Sequence, residues 1–192
     1  METIKLKITG TRPLLMHSDI LCNSLHPLAK NHAALVKSNK AGNKTDEKTE
    51  EVAKSEWVSG LYFDEKLGPY VPGVNIESAI VAGGKLQRLG AQLKRAVEVM
   101  DERCPLIYTG PRTVEGLWGA GFYDARSVKV TTSRITRYRP LFRDWSFVCE
   151  IMFDPDMINR DQLVKCAVDA GLYVGIGDYR PKFGRFTVEI AA

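Results

Sequence analysis

Three stretches of the chain alternate apolar and polar side chains, the spacing typical of a half-buried strand. They are 4–8, 147–153 and 186–190. Shorter apolar runs at 61–63 and 106–108 predict two further strands. We expect the strand at 147–153 to pair with 135–142 across a tight turn at 143–145.

Other stretches repeat apolar side chains every three or four residues, which predicts helices. They are 18–37 with a break at Pro27, 75–89 and 160–172. Two further helices are predicted, an acidic one at 46–56 and one at 91–101. Thr45 and Asn159 precede the helices at 46–56 and 160–172 and can accept hydrogen bonds from first-turn amides. Gly83 and Gly84 would each weaken their helix by about 1 kcal/mol relative to alanine, so we expect a close packing contact there. The polar stretch 38–44 is predicted to be mobile, and 68–73 to form a turn that leads into a helix.

The order strand, helices, strands, helix, strand predicts an α+β fold with an antiparallel sheet. The chain has 192 residues, of which 44% are hydrophobic, enough for one sizeable core and too few for two. We therefore expect a single domain over 1–192, with a helical and flexible insertion at about 18–60.

One segment concentrates the positive charge. Residues 126–143 contain six cations and no anion, whereas the formal net charge of the whole chain is only +4. The six are Arg126, Lys129, Arg134, Arg137, Arg139 and Arg143. Strand-forming side chains alternate with them, so the segment is predicted to be folded, and a folded cationic surface suits a polyanion such as nucleic acid. A solvated charged face, or an edge strand protected by charge, is the alternative.

Three segments carry a family pattern. They are an opening strand and its loop at 5–17, a helix entry at 70–80 (YVPGVNIESAI) and a glycine-rich loop at 175–186 (GIGDYRPKFGRF). Together they resemble the RAMP superfamily, in particular the backbone subunits of CRISPR effector complexes, which coat a guide RNA. The resemblance implies an RRM-like (ferredoxin-like) core, an insertion comparable to the family's thumb, and head-to-tail assembly along a nucleic acid. Short, stand-alone relatives of this type look like phage or mobile-element proteins.

The cationic segment and the glycine-rich loop supply most of the candidate contacts. Gly175, Gly177 and Gly184 can let a phosphate approach backbone amides, although a helix C-cap followed by a turn would also use glycine. The Tyr138 ring can stack on a base. Arg137 and Arg139 share the opposite face of the same strand. The candidate nucleic-acid-binding residues are Arg126, Lys129, Arg134, Arg137, Tyr138, Arg139, Arg143, Arg180, Lys182, Arg185, Lys85 and Arg88.

The sequence predicts a protein that coats single-stranded DNA or RNA without sequence preference, as a homo-oligomer or filament. We expect it to be no enzyme and to need no cofactor and no metal. Two alternatives stay open. One is a ribonuclease acting through His17 or Asp19, and the other is an interaction module that imitates a CRISPR backbone subunit.

The cysteines and the hydropathy pattern address the cellular setting. The four cysteines are far apart and form no CxxC pair, which favours reduced thiols in a cytoplasmic protein over a zinc site or a disulfide framework. The sequence contains no run of about eighteen apolar residues, so we expect no membrane span. The charged and apolar alternation at 1–8 is unlike a signal peptide.

Overall fold

The computed structural model describes residues 1–41, 45–130 and 133–191. The strands are β1 (Glu2–Gly10), β2 (Leu14–Leu15), β3 (Phe63–Asp64), β4 (Gly68–Pro72), β5 (Val97–Val99), β6 (Arg103–Pro105), β7 (Tyr123–Val130), β8 (Ser133–Phe142), β9 (Ser146–Phe153) and β10 (Phe186–Ile190). The helices are α1 (Pro27–Ala41), α2 (Asp46–Gly60), α3 (Gly73–Leu86), α4 (Gly90–Ala96), α5 (Val114–Gly119) and α6 (Arg160–Asp169). A 3₁₀ turn, Ile20–Cys22, precedes α1, and a π turn, Ala170–Val174, follows α6. The predicted α+β class with antiparallel sheets is confirmed.

Contacts divide the chain into two compact units. Unit 1 consists of Met1–Leu14, Phe63–Thr109 and Phe142–Ala192, and unit 2 of Leu15–Tyr62 and Gly110–Leu141. The insertion predicted at about 18–60 lies in unit 2, together with a second segment that the sequence pattern did not assign to it. That the whole chain acts as one domain stays a prediction.

Unit 1 contains a four-stranded sheet in the order β10-β1-β9-β5, with antiparallel pairing throughout. In the chain, α3 and α4 lie between β1 and β5, and α6 lies between β9 and β10. The side chains of Ile4, Leu6 and Ile8 are buried, whereas Lys5 and Lys7 are exposed. The alternation at 4–8 therefore separates a core face from a solvent face, as predicted.

The two adjacent glycines of α3 lie at close helix contacts. A Cβ at Gly83 would collide with the Cys166 carbonyl oxygen of α6, and a Cβ at Gly84 would collide with the Leu93 side chain of α4. Glycine is the only residue without a Cβ, so only glycine allows these two contacts. The packing contact predicted from the glycine pair is confirmed.

Unit 2 is organised around Trp57 of α2. The indole is fully buried, and its Nε1–H donates to the Phe122 carbonyl oxygen at 2.9 Å. The ring of Trp118, in α5, lies 5.5 Å from that of Trp57 and 4.9 Å from that of Tyr123. These rings give the β7–β8 hairpin an apolar packing surface, without which an isolated hairpin is only marginally stable in water.

The first two helices differ from the prediction at their ends. Pro27 begins α1 instead of interrupting it, because the first helical position needs no N–H and suits the fixed φ of proline. The helix continues to Ala41, so the first part of the stretch predicted to be mobile is helical, and 42–44 lie outside the described residues. α2 continues past the predicted end at Glu56 to Gly60, and at its start Thr45 accepts from the Lys48 amide, as predicted. Within the described ranges, no helix has the length and apolar character needed to cross a membrane.

The strand pairing predicted for 147–153 is wrong. β9 pairs with β1 and β5, while β8 pairs with β7. Most of the cationic segment therefore forms a β7–β8 hairpin within a three-stranded sheet of order β2-β8-β7. The sequence gives no signal of this reversal, because 126–136 contains no glycine, asparagine, aspartate or proline.

Three shorter elements also differ. Most of the segment predicted as a turn, 68–73, forms β4, which pairs with β6, and Gly73 begins α3. α4 ends at Ala96, and Val97 and Val99 enter a strand because β-branched side chains suit a half-buried sheet. The strand predicted at 106–108 is replaced by β6, and Ile107 forms only an isolated bridge with Ser146.

Candidate nucleic-acid interface

The register of the β7–β8 hairpin brings cations directly opposite one another. Arg126 stands opposite Arg137, and Lys129 stands opposite Arg134. Successive positions of a strand alternate between its faces, so these two pairs lie on opposite faces of the hairpin. The sequence predicted the cations but not this pairing.

Arg126 is neutralised within its own strand. Its Nε and an Nη lie 2.5 Å and 2.8 Å from the two carboxylate oxygens of Asp124, so the contact is bidentate. The two side chains are two residues apart and therefore share a face of β7. Arg139 stands opposite Asp124 in the register and is half-buried.

Arg137 is neutralised from helix α2. Its Nη1 lies 2.7 Å from Oε1 of Glu56, and Oε2 of the same carboxylate accepts from the Tyr138 backbone N–H at 3.4 Å. The carboxylate is 15% exposed and the guanidinium side chain 36% exposed, so the pair is partly shielded from water. A phosphate would have to compete with Glu56 for this arginine.

Lys129 and Arg134 differ from the other hairpin cations because both are exposed. Within the described residues, no carboxylate lies within ion-pair distance of either. Lys129 and Arg134 lie on the same face of the hairpin, and their pair comes directly before the last one, Val130 and Ser133. We call Lys129 and Arg134 the tip pair.

The Tyr138 ring belongs to the aromatic cluster of unit 2. Its centroid lies 6.0 Å from that of Trp118 and 5.9 Å from that of Tyr123. For the predicted stacking on a base, the Tyr138 ring would have to leave this cluster, or the base would have to pack against the cluster as an additional ring.

The glycine-rich loop of unit 1 uses its backbone amides internally. The Gly175 N–H donates to the Ala170 carbonyl at 2.8 Å, the Ile176 N–H to the Gly184 carbonyl at 2.9 Å, and the Gly184 N–H to the Pro13 carbonyl at 2.8 Å. Gly175, Gly177 and Gly184 all have positive φ. Gly175 and Gly184 therefore fix the loop on the π turn, on itself and on the segment that follows β1, which is the structural role that the sequence left open.

The three cations of this loop are not equivalent. Arg180 and Lys182 are exposed, whereas Arg185 is half-buried and its carbonyl accepts from the Thr11 N–H at 2.8 Å. The loop therefore presents two cations at its surface. It also exposes Tyr179, which sequence analysis did not select.

The remaining candidates lie elsewhere in unit 1. Lys85 and Arg88 are exposed and line one open cleft, to which Lys94 of α4 and Glu77 of α3 also contribute. Arg143 is exposed between β8 and β9. The structure thus brings Lys85 and Arg88 together in one cleft and Arg180 and Lys182 together in another segment, while Lys129 and Arg134 belong to unit 2.

The exposed face of the four-stranded sheet offers no ring for stacking. All of its residues are described, and its three aromatic side chains, Phe147, Phe153 and Phe186, are buried. Charges on the exposed face are matched: Lys5 stands opposite Glu150, and Lys7 lies 3.9 Å from Glu189. This face therefore lacks both an excess of cations and a stacking platform.

The residues of the ribonuclease alternative are both exposed. Asp19 precedes the 3₁₀ turn, where its carbonyl, and not its carboxylate, accepts from the Cys22 amide. His17 is two residues before it. Across the described ranges, no group of three or more histidine, cysteine, aspartate or glutamate side chains is arranged to hold a metal ion.

Three of the cysteines lie in the core of unit 1. Cys104, Cys149 and Cys166 are fully buried, and burial raises the pKa of each thiol, that of Cys104 to about 12. These side chains behave as small apolar groups at neutral pH. Cys22, in unit 2, is exposed.

We compared the chain with known protein families and with curated protein sequences. No protein-family model matches the chain, and no curated protein sequence matches it. The resemblance to the RAMP superfamily therefore depends on the three sequence segments.

Proposed function

We propose that the protein binds single-stranded DNA or RNA without sequence preference, by contacts to backbone phosphates. The observation that carries the proposal is the tip pair: Lys129 and Arg134 stand directly opposite each other and are both exposed. No carboxylate among the described residues is within ion-pair distance of either side chain.

Like charges directly opposite each other in an antiparallel pair destabilise it, typically by a fraction of a kcal/mol. An anion that accepts from both side chains relieves this repulsion. A phosphodiester suits the tip pair because arginine can bind phosphate in a bidentate manner, while lysine adds a point charge. Neither contact reads a base, so the binding would not depend on sequence.

The proposal includes an RRM-like (ferredoxin-like) core for unit 1. The strand order β10-β1-β9-β5, with helices between β1 and β5 and between β9 and β10, supports it, because a β-α-β-β-α-β chain generates that order. The absence of exposed rings on the sheet argues for nucleic-acid contact outside that face. We further propose assembly of copies side by side along the strand, on the strength of the family resemblance.

The test is a salt series of binding to a fluorescent single-stranded oligonucleotide, measured by anisotropy. We compare the wild type with Lys129→Gln/Arg134→Gln and, as a matched control, with Lys30→Gln/Lys37→Gln. The control removes the same charge from two exposed positions of α1 in the same unit.

Loss of two phosphate contacts should reduce the slope of log affinity against log salt concentration by about 1.4, since each contact to a single strand contributes about 0.7. The control should leave the slope unchanged. If the wild type has no measurable affinity at low salt, or if the two double variants behave alike, the proposal is wrong.

A further inference from the structure

A second surface of unit 1 combines exposed aromatic rings with cations. An open cleft of about 560 Å³ lies between Ala82 of α3 and the glycine-rich loop. Tyr173 lines it from the π turn, and Tyr179 and Arg180 line it from the loop. Of these three side chains, sequence analysis selected only that of Arg180.

Both tyrosines present much of their surface to water. Tyr173 is 61% exposed and Tyr179 is 46% exposed. Tyrosine rings are usually more buried than this, and exposed rings beside a concave surface are typical of ligand sites. The cleft is not explained by packing of the core.

The backbone holds Tyr179 in a fixed and unusual conformation. Its φ is 55°, in the left-handed region that a bulky residue rarely adopts. The loop that carries it is closed by the hydrogen bond from the Ile176 N–H to the Gly184 carbonyl, and the Phe183 ring meets the Tyr179 ring edge-on at 6.1 Å. Such conformations persist only where the surrounding structure imposes them, and they are concentrated at functional sites.

The charge beside the rings is positive. Arg180 and Lys182 are exposed, and the Lys182 ammonium lies 5.8 Å from the centre of the Tyr179 ring. Asp178 also lines the cleft, but it is half-buried and its Oδ1 accepts from the Tyr179 N–H. An aromatic surface next to two accessible cations matches a nucleotide, which joins a flat base to a phosphate.

We propose that this cleft binds one nucleobase of a single strand by stacking on Tyr173 and Tyr179, with the adjoining phosphate at Arg180 and Lys182. The inference rests on the proposed function and adds the place where a base is held. Stacking tolerates any base because each has a π-face, so this contact is compatible with binding that ignores sequence.

The test compares two labelled strands of equal length, an oligodeoxynucleotide and its abasic counterpart, which keeps the phosphates and lacks the bases. The proteins are the wild type, Tyr173→Ala/Tyr179→Ala, Tyr173→Phe/Tyr179→Phe and Leu172→Ala. Leu172 is exposed and adjacent in the chain but does not line the cleft, so it controls for general disturbance of the π turn.

We expect the alanine pair to weaken binding of the normal strand on the order of 10-fold or more and to leave the abasic strand unaffected. The phenylalanine pair and Leu172→Ala should bind both strands as the wild type does. Equal affinity of wild type and alanine pair for the normal strand would overturn the inference, as would equal losses on both strands. A change in sedimentation of the alanine pair without nucleic acid would also overturn it, since the cleft would then be a protein contact.

The two proposals fail separately. If the wild type binds and the tip-pair variant loses affinity while the alanine pair does not, only the cleft assignment is wrong. If the wild type binds neither strand at low salt, both proposals are wrong.

Discussion

The β7–β8 hairpin and the glycine-rich loop both carry clustered cations, but the chain treats the two sets differently. In the hairpin, Arg126 and Arg137 are bound by Asp124 and Glu56, which leaves the tip pair as the accessible charge. In the loop, the backbone is bonded to itself while Arg180 and Lys182 extend into solvent. The number of cations in a segment therefore overstates the charge that a polyanion can reach.

The glycine-rich loop can hold its cations in place only if the core of unit 1 is closed, and thiol reactivity is the most sensitive measure of a closed core. Because the pKa of Cys104 is raised to about 12, its thiolate fraction at pH 8 is about one in 10⁴. We expect a thiol reagent at pH 8 to modify the exposed Cys22 at least about 1000-fold faster than Cys104, and also faster than Cys149 and Cys166, because burial raises the pKa of both of these thiols. Modification rates are measured by mass spectrometry of peptides, with all four equally fast in urea as the control. Rapid modification of Cys104 in the native protein would mean that the core is open.

The second prediction concerns the fixed backbone of the loop. A Cβ at Gly184 would collide with the Ile176 carbonyl oxygen, and Gly184 has a φ of 70°. We expect Gly184→Ala to lower the free energy of unfolding by about 2–4 kcal/mol and to speed modification of Cys104. Urea denaturation measures the loss.

Gly121→Ala is the matched control for this substitution. Gly121 has a similar φ of 75°, but nothing lies within 4 Å of a Cβ placed there. Gly121→Ala should therefore lower the free energy of unfolding by only about 1 kcal/mol, the cost of placing alanine at a positive φ. Equal losses at the two glycines would show that the contact with Ile176 has no energetic role.

The third prediction concerns a substitution that frees Arg137 of the hairpin from its ion pair. Glu56→Gln removes the charge that holds Arg137 and weakens the bond to the Tyr138 amide, so we expect about 1 kcal/mol of lost stability, limited by the exposure of Arg137. If the hairpin binds phosphate, affinity for a single strand should rise at low salt. Glu51→Gln, an exposed position of the same helix, makes the same charge change without an arginine partner and should alter neither quantity.

The smallest effect is expected at Asp124. Asp124→Asn removes the charge that pairs with Arg126 on the same strand and can still accept a hydrogen bond, so stability should change by no more than about 0.5 kcal/mol. One additional accessible cation should steepen the salt dependence of binding by about 0.7. Asp144→Asn, exposed between β8 and β9, is the control for net charge alone. Identical salt slopes for the two variants would mean that Arg126 does not reach the ligand.

Local features of the fold could be predicted from the sequence. The alternation at 4–8 and 147–153 reports one buried face, which is set by side-chain chemistry at neighbouring positions. The adjacent Gly83 and Gly84 indicated a close contact, because their cost to a helix needs a compensating reason. The partner of each strand could not be predicted, since 126–136 contains no glycine, proline, asparagine or aspartate to indicate a turn and pairing depends on the whole sheet.

The sequence also could not predict which residues of the candidate site are accessible. Glu56 and Arg137 are 81 residues apart, and nothing local links them. The exposure of Tyr173 and Tyr179 is likewise a tertiary property, because the same residues in a different packing would belong to the core. The positive φ of Tyr179 is also a property of the folded backbone, so nothing in the sequence indicated it.

The carboxylate of Glu56 has a consequence for aggregation. β2 has only two residues and therefore covers only part of the ten-residue β8 on the side away from β7. By accepting from the Tyr138 N–H, the Glu56 carboxylate occupies a donor that another extended chain could use to add itself beside β8. Its negative charge also repels the carbonyl oxygens of such a chain. Helix α2 thus shields part of a strand from edge-to-edge growth, which is a hazard for any short sheet in a concentrated cell.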